Sequence, residues 1–280
     1  MINTPLRLIP IALLGSVFLG CSITTPDLAT EPLETQRVAA EPKLLGACNP
    51  TPCVKILFDP LPSLSKELSP EARAAITKET SSVLYAPLDS EERQETIDLV
   101  MAELKERFDE FVNEGLSDIT LDWEFSRTAT VLFENPDVIT IDIVSQGYLG
   151  GAHGFNDRTL LTFNARDGRR LSLDDIIDPK SRSMLQTIVE AEFRRTRQIP
   201  VGRSLAEAGF FMKPGDPILV PSNFGITPMG LLLQYNPYEI APYVFGPTEV
   251  IVPKEAFQGL LSSESRHLTD TIDANEKQAS

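Results

Sequence analysis

Residues 137–148 read Asp-Val-Ile-Thr-Ile-Asp-Ile-Val-Ser-Gln-Gly-Tyr. Successive side chains of an extended chain point to opposite sides, so Ile139, Ile141 and Ile143 share one face while Asp142 looks the other way. Such a pattern predicts a strand with one buried face, and strand-like neighbours flank it. Upstream, 119–133 is a strand in which Leu121, Trp123 and Phe125 supply an inner face and Asp122 and Glu124 a solvated outer one. Downstream, 158–165 is a third strand, ended by the turn signal Asp167-Gly168. Cys53 to Phe58 is a short apolar strand stopped at Asp59-Pro60. Later strands are expected at 218–220, 224–227, 230–235 and 248–252.

Helical periods separate these strands. Asp89 and Glu92 have capping-box spacing, and Ile97, Val100, Met101, Leu104, Phe108 and Phe111 then recur at helical spacing until Gly115. A second helix is expected from Asp178-Pro179, burying Leu185, Ile188, Val189 and Phe193 and closing on Arg194, Arg195 and Arg197. A short helix covers about 254–261, and Asp174-Asp175 cap a helical turn. The order predicts an α+β fold, a mostly antiparallel sheet packed by two main helices, with no internal repeat.

The chain carries 25 Lys and Arg against 40 Asp and Glu, a net charge of −15. Nucleic acid is a poor partner for such a surface. A basic partner would be steered toward it, although the charge also serves solubility. The chain starts with a single cation, Arg7, followed by an apolar run from Leu8 to Leu19, the pattern of a secretory leader too short to be a comfortable permanent span. Phe18-Leu19-Gly20-Cys21 resembles the lipobox of bacterial lipoproteins, with Phe18 where Leu is usual. The resemblance implies cleavage before Cys21, lipidation there, and a membrane anchor made of acyl chains. Ser22, rather than Asp, directs such a protein to the outer membrane, facing the periplasm. Cys48 and Cys53, with Asn-Pro-Thr-Pro between them, are expected to form a local disulfide in an oxidising compartment. No nearby His or Cys completes a metal set. Residues 1–20 are therefore a signal peptide, 21–46 the lipidated cysteine and a flexible tether, and 264–280 a polar, frayed tail.

Catalytic signatures are missing: the sequence has no Gly-rich phosphate loop, no Gly-x-Ser-x-Gly elbow and no His-Glu-x-x-His. Of its two histidines, His267 falls in the tail. His153 lies in Tyr148-Leu149-Gly150-Gly151-Ala152-His153-Gly154, where it either holds the loop by hydrogen bonds or serves as base or ligand. Asp122 and Glu124 could form an acid–base pair if they were not a solvated face. Tyr235-Asn236-Pro237-Tyr238-Glu239-Ile240-Ala241-Pro242-Tyr243 gathers three tyrosines and two prolines, which suits either a binding surface or a packed corner.

Tyr148–Gly154, followed by Thr162-Phe163-Asn164, Asp167-Gly168 and Leu171-Ser172-Leu173-Asp174-Asp175-Ile176, resembles the C-terminal extracellular domain of the anti-sigma factor RsiV. It is also similar to the accessory domain of PdaC-type peptidoglycan deacetylases. Asn223-Phe224 and 235–246 follow in the same order, so the resemblance covers about 138–255. It implies an N-terminal PdaC-like region at 47–135, an RsiV C-terminal-like domain at 136–263, and an extracytoplasmic binding role. Neither a sigma-binding segment nor a deacetylase domain is in the sequence. The implied protein is a non-catalytic, lipid-anchored binding module without cofactor, whose partner is a lysozyme-type protein or peptidoglycan. Tyr148, His153, Asn236, Pro237, Tyr238 and Tyr243 are the candidate binding residues. A structural envelope lipoprotein without soluble ligand and a peptidoglycan hydrolase using His153 with a nearby acid are the alternatives.

Overall fold

A computed structural model of the protein describes residues 43–45, 53–59, 61–88, 96–114 and 122–269, all within one compact unit, Ala39–Ser280. The leader, Cys21, Cys48, the tether apart from the backbone of 43–45, and the tail beyond residue 269 lie outside the described residues.

The first sheet runs in the order β1 (Lys43–Leu45), β2 (Val54–Phe58), β3 (Trp123–Glu134), β4 (Val138–Tyr148) and β5 (Phe155–Asn164). All its pairings are antiparallel except β2 with β3. That parallel pair exists because two helices, α1 (Pro70–Leu84) and α2 (Ile97–Asn113), carry the chain back between the two strands. Both helices cover the face formed by Val54, Ile56, Trp123, Phe125, Ile139, Ile141 and Ile143. The isoleucine alternation of residues 137–148 thus marks the buried side.

Helix α1 adds a further long helix to the two expected from the sequence, within the expected α+β fold. Ser69 caps it by accepting a hydrogen bond from the Ala72 N–H at 3.0 Å, and Pro70 opens its first turn. Its buried positions are Ala72, Ile76, Thr80 and Leu84. Only two of these four are large and apolar, so the stripe is too thin to stand out in the sequence. Helix α2 has the expected period and starts after Thr96; Asp89 and Glu92 lie outside the described residues.

Asn135 closes the β3–β4 hairpin, its Oδ1 accepting from the backbone N–H groups of Asp137 (2.8 Å) and Val138 (2.7 Å). A division between 135 and 136 therefore falls inside a hairpin turn, and the core under α1 and α2 draws on both sides of it. Cys53 is fully buried at the start of β2.

The second sheet is an antiparallel meander of β6 (Phe224–Thr227), β7 (Gly230–Tyr235) and β8 (Thr248–Pro253). A short helix, α3 (Leu173–Ile176), and a long one, α4 (Arg182–Thr196), precede it, and α5 (Lys254–Gln258) follows. Leu185, Val189 and Phe193 of α4 join Leu231, Leu233, Tyr235, Val250 and Val252 in a second core. Residues 218–220, expected as a strand, form none. Pro217 and Pro221 bracket them and have no N–H to give a ladder. Their carbonyls serve side chains instead: Gln186 donates to Ile218 O at 3.0 Å and Tyr235 to Leu219 O at 2.7 Å. The packed body also runs further than expected, since Ser265, Leu268 and Thr269 are buried.

The sheets meet through polar side chains. Thr140 of β4 and Thr162 of β5 rise from the face opposite the isoleucines and meet the free edge of β6. The Thr140 hydroxyl donates to Ile226 O (2.7 Å) and accepts from Ile226 N–H (3.1 Å), and the Thr162 hydroxyl donates to Phe224 O (3.0 Å). An exposed strand edge is a liability, and two threonines satisfy this one. A Cβ on Gly225 would sit 2.7 Å from Thr140 Cγ2, so this position needs glycine for space.

The outer edge of β5 is closed by asparagines. Asn223 accepts from Leu160 N–H and Asn236 from Arg158 N–H, while both amides donate to Arg158 O, all at 2.7–3.0 Å. Arg158 then bridges the sheets. It holds Asp142 of β4 at 2.7 and 2.9 Å and Glu249 of β8 at 2.6 Å. Among the described residues no helix is long and apolar enough to cross a membrane.

Candidate functional site

The two sequence motifs come together. The β4–β5 loop, residues 149–154, turns at Gly150, whose φ is +77° and whose Cβ would lie within 3.0 Å of Trp123 and Phe111. Only glycine allows this left-handed turn to lie on the Trp123 ring. The loop then presents His153. From the other side, the Asn236 bracket on β5 launches residues 236–247. Buried Ile240 and Ala241 and the hydrogen bond from Phe211 N–H to Ile240 O (2.7 Å) tie that loop to the second core.

His153 stacks on Tyr243 with ring centroids 3.7 Å apart and planes 15° from parallel. Its Nδ1 is 2.7 Å from Gly154 O and its Nε2 3.1 Å from the Tyr238 hydroxyl. A carbonyl can only accept, so Nδ1 carries a proton; in the neutral ring Nε2 then accepts from Tyr238. Tyr238 and Tyr243 are 5.8 Å apart, completing a three-ring cluster. The ring nitrogens are engaged by a carbonyl and a phenol, and no carboxylate is among their partners in the described residues.

Tyr238 is 58 % exposed, and its backbone adopts φ +67°. A left-handed conformation costs a residue with a Cβ about 1–2 kcal/mol. Strain of that kind concentrates at functional positions. The chain therefore holds a large ring in solvent, at a cost, by its bond to His153. Val244, on the same loop, is also exposed.

The other candidates separate from this cluster. Asn236 is committed to β5, and Pro237 leads into the strained turn. Tyr235 is a core residue: burial, reinforced by Glu239, pushes its phenol far above the ordinary value. Tyr148 ends β4 on the open part of the first sheet. Asp122 and Glu124 are both engaged by Lys55, at 3.2 and 3.3 Å. The Lys55 bond holds the Asp122 carboxyl below its ordinary range, helped by the Cys53 N–H. No group of three or more His, Cys, Asp or Glu among the described residues is placed to hold a metal. Sequence reading missed Arg158, and it had Asn223 only as part of a motif, without its bonds to β5. The one available signal was Asp142, an acid amid isoleucines that needed a cation once a second sheet covered its face.

This arrangement defines an α+β protein whose second sheet and β4–β5 loop together display an aromatic cluster. Residues 174–255 match the family model described as a protein of unknown function, DUF3298. The chain is similar in fold to a DUF3298-family protein from Bacteroides fragilis, at 18% identity over 83% of this chain and 94% of that one, with a TM-score of 0.64. It is likewise similar to one from Pseudomonas aeruginosa PAO1, at 18% identity over 84% and 97%, with a TM-score of 0.58. No curated protein matches the chain in sequence.

Proposed function

We propose that this chain is a non-catalytic binding module of the bacterial envelope, lipid-anchored through Cys21 at the outer membrane. Its ligand in this reading is a basic protein of the lysozyme type, received by the Tyr238 surface. The observation that carries the reading is the strained, exposed Tyr238, held by His153 and Tyr243. The RsiV-like motifs supply both halves of that cluster. The net charge of −15 favours a basic partner, and exposed aromatics of low side-chain entropy are what interface centres use. A Cys48–Cys53 bond, belonging to the same reading, would pin the start of β2.

Calorimetry of the full chain with lysozyme at two salt concentrations tests the ligand. Binding should weaken as salt screens the acidic surface. Tyr238→Gly should remove most of that binding and leave the melting temperature unchanged or higher, because glycine relieves the left-handed strain. Undiminished binding by this variant would remove the assignment of the site; no binding by the parent chain would remove the ligand. For the anchor, Cys21→Ala should move the protein from the membrane to the soluble envelope fraction. A variant that still sediments with membranes would refute anchoring at that cysteine.

A further inference from the structure

Strand β4 runs out from beneath the second sheet. On its outer face Thr140 is covered by β6 and Asp142 is held by Arg158, but Gln146 lies exposed further along and Tyr148 beyond it. There the sheet forms a cavity of about 460 Å³. Register sets its floor. Leu57, Ser126, Gln146 and Asn156 form one row across four strands, and Lys55, Glu124 and Tyr148 form the next. With strands about 4.8 Å apart, the first row is about 14 Å long.

The side-chain amides of Gln146 and Asn156 make no hydrogen bond among the described residues, and neither does the Tyr148 hydroxyl. Two free amides side by side offer paired donors and acceptors to neighbouring hydroxyls. One aromatic ring at the end of a polar row supplies an apolar face. Lys55 and Glu124 neutralise each other at 3.3 Å, so the lining offers no net charge to an ion. An extended, uncharged molecule with many hydroxyls and flat C–H faces meets all three conditions.

We infer that this cavity binds a neutral oligosaccharide, with Tyr148 stacking on one sugar ring and Gln146 and Asn156 hydrogen-bonding the next. The site is separate from the Tyr238 cluster and does not depend on a protein ligand there.

The probes are the β-1,4-linked tetramers of N-acetylglucosamine and of glucose, titrated into the full chain and followed by calorimetry. At least one tetramer should bind, and their difference reports whether the acetamido group is recognised. Tyr148→Ala should weaken binding about tenfold, the size of a lost aromatic contact. Tyr148→Phe should retain it, and Gln146→Ala with Asn156→Ala should weaken it at least as much as Tyr148→Ala. Melting temperatures report that the variants fold. Tyr238→Gly should bind sugar as the parent does, which keeps this test independent of the protein-binding one. Absence of binding by both tetramers at millimolar concentration would overturn the proposal. Binding that survives the groove variants, or is lost only in Tyr238→Gly, would overturn it as well.

Discussion

Replacing Arg158 by Met is expected to destabilise the protein by about 3–5 kcal/mol, the usual cost of leaving a buried charge without its partner. The side chains of Arg158 and Asp142 are only 18% and 13% exposed, and the guanidinium grips the carboxylate through two nitrogens. Burial alone would lower the Arg158 pKa. Asp142 and Glu249 outweigh that desolvation and hold it above its ordinary value, so the cation stays charged. Glu249 is 56% exposed, and its share of the loss should be small. Urea denaturation of Arg158→Met beside the pair Arg158→Met with Asp142→Leu checks the mechanism. The double variant should recover most of the stability, because no buried acid is then left alone. A loss below about 1 kcal/mol in the single variant would show a pair of surface strength only.

The second large effect is expected at Thr140. Valine has nearly the same shape but no hydroxyl, and Thr140→Val leaves both backbone groups of Ile226 unpaired inside the protein. Each such group costs about 1–3 kcal/mol. Thr140→Ser keeps the oxygen and should retain most of the stability. Amide exchange at Ile226 gives a local reading, since the Thr140 hydroxyl is the acceptor for that N–H in the native fold. Faster exchange at Ile226 with little change in the core of the first sheet would place the loss at the join between sheets. Unchanged exchange in Thr140→Val would mean that β6 finds another acceptor, and the threonine bracket would not be what holds it.

Both effects bear on the candidate site. Arg158 and Asn236 fix the loop that carries Tyr238 and Tyr243 to the strand that follows His153. Loosening this join should disperse the ring cluster before it unfolds either core, because each core keeps its own apolar contacts.

The sequence by itself determined the elements with strong local signals. The isoleucine alternation gave β4 and its buried side. Helical spacing gave α2 and α4, and the two aromatic and glycine-rich motifs were visible as separate stretches. These follow from side-chain periodicity and turn chemistry, which act over a few residues. Helix α1 escaped because two of its four buried positions are Ala72 and Thr80. The segment 218–220 looked like a strand because apolar content does not say whether its carbonyls will find a ladder or the side chains of Gln186 and Tyr235.

Tertiary structure alone decided the rest. The parallel β2–β3 pair depends on two helices crossing between them. The union of His153 with Tyr238, 85 residues apart, depends on Asn236 and Asn223 reaching β5 and on Thr140 reaching β6. A polar side chain in a sequence does not carry the address of its partner: Thr140 and Arg158 read as ordinary strand residues, and Asn223 as one member of a motif, until the second sheet arrives. The open groove at Gln146 and Tyr148 is the complement of the same fact, being the part of the first sheet that the second one leaves uncovered.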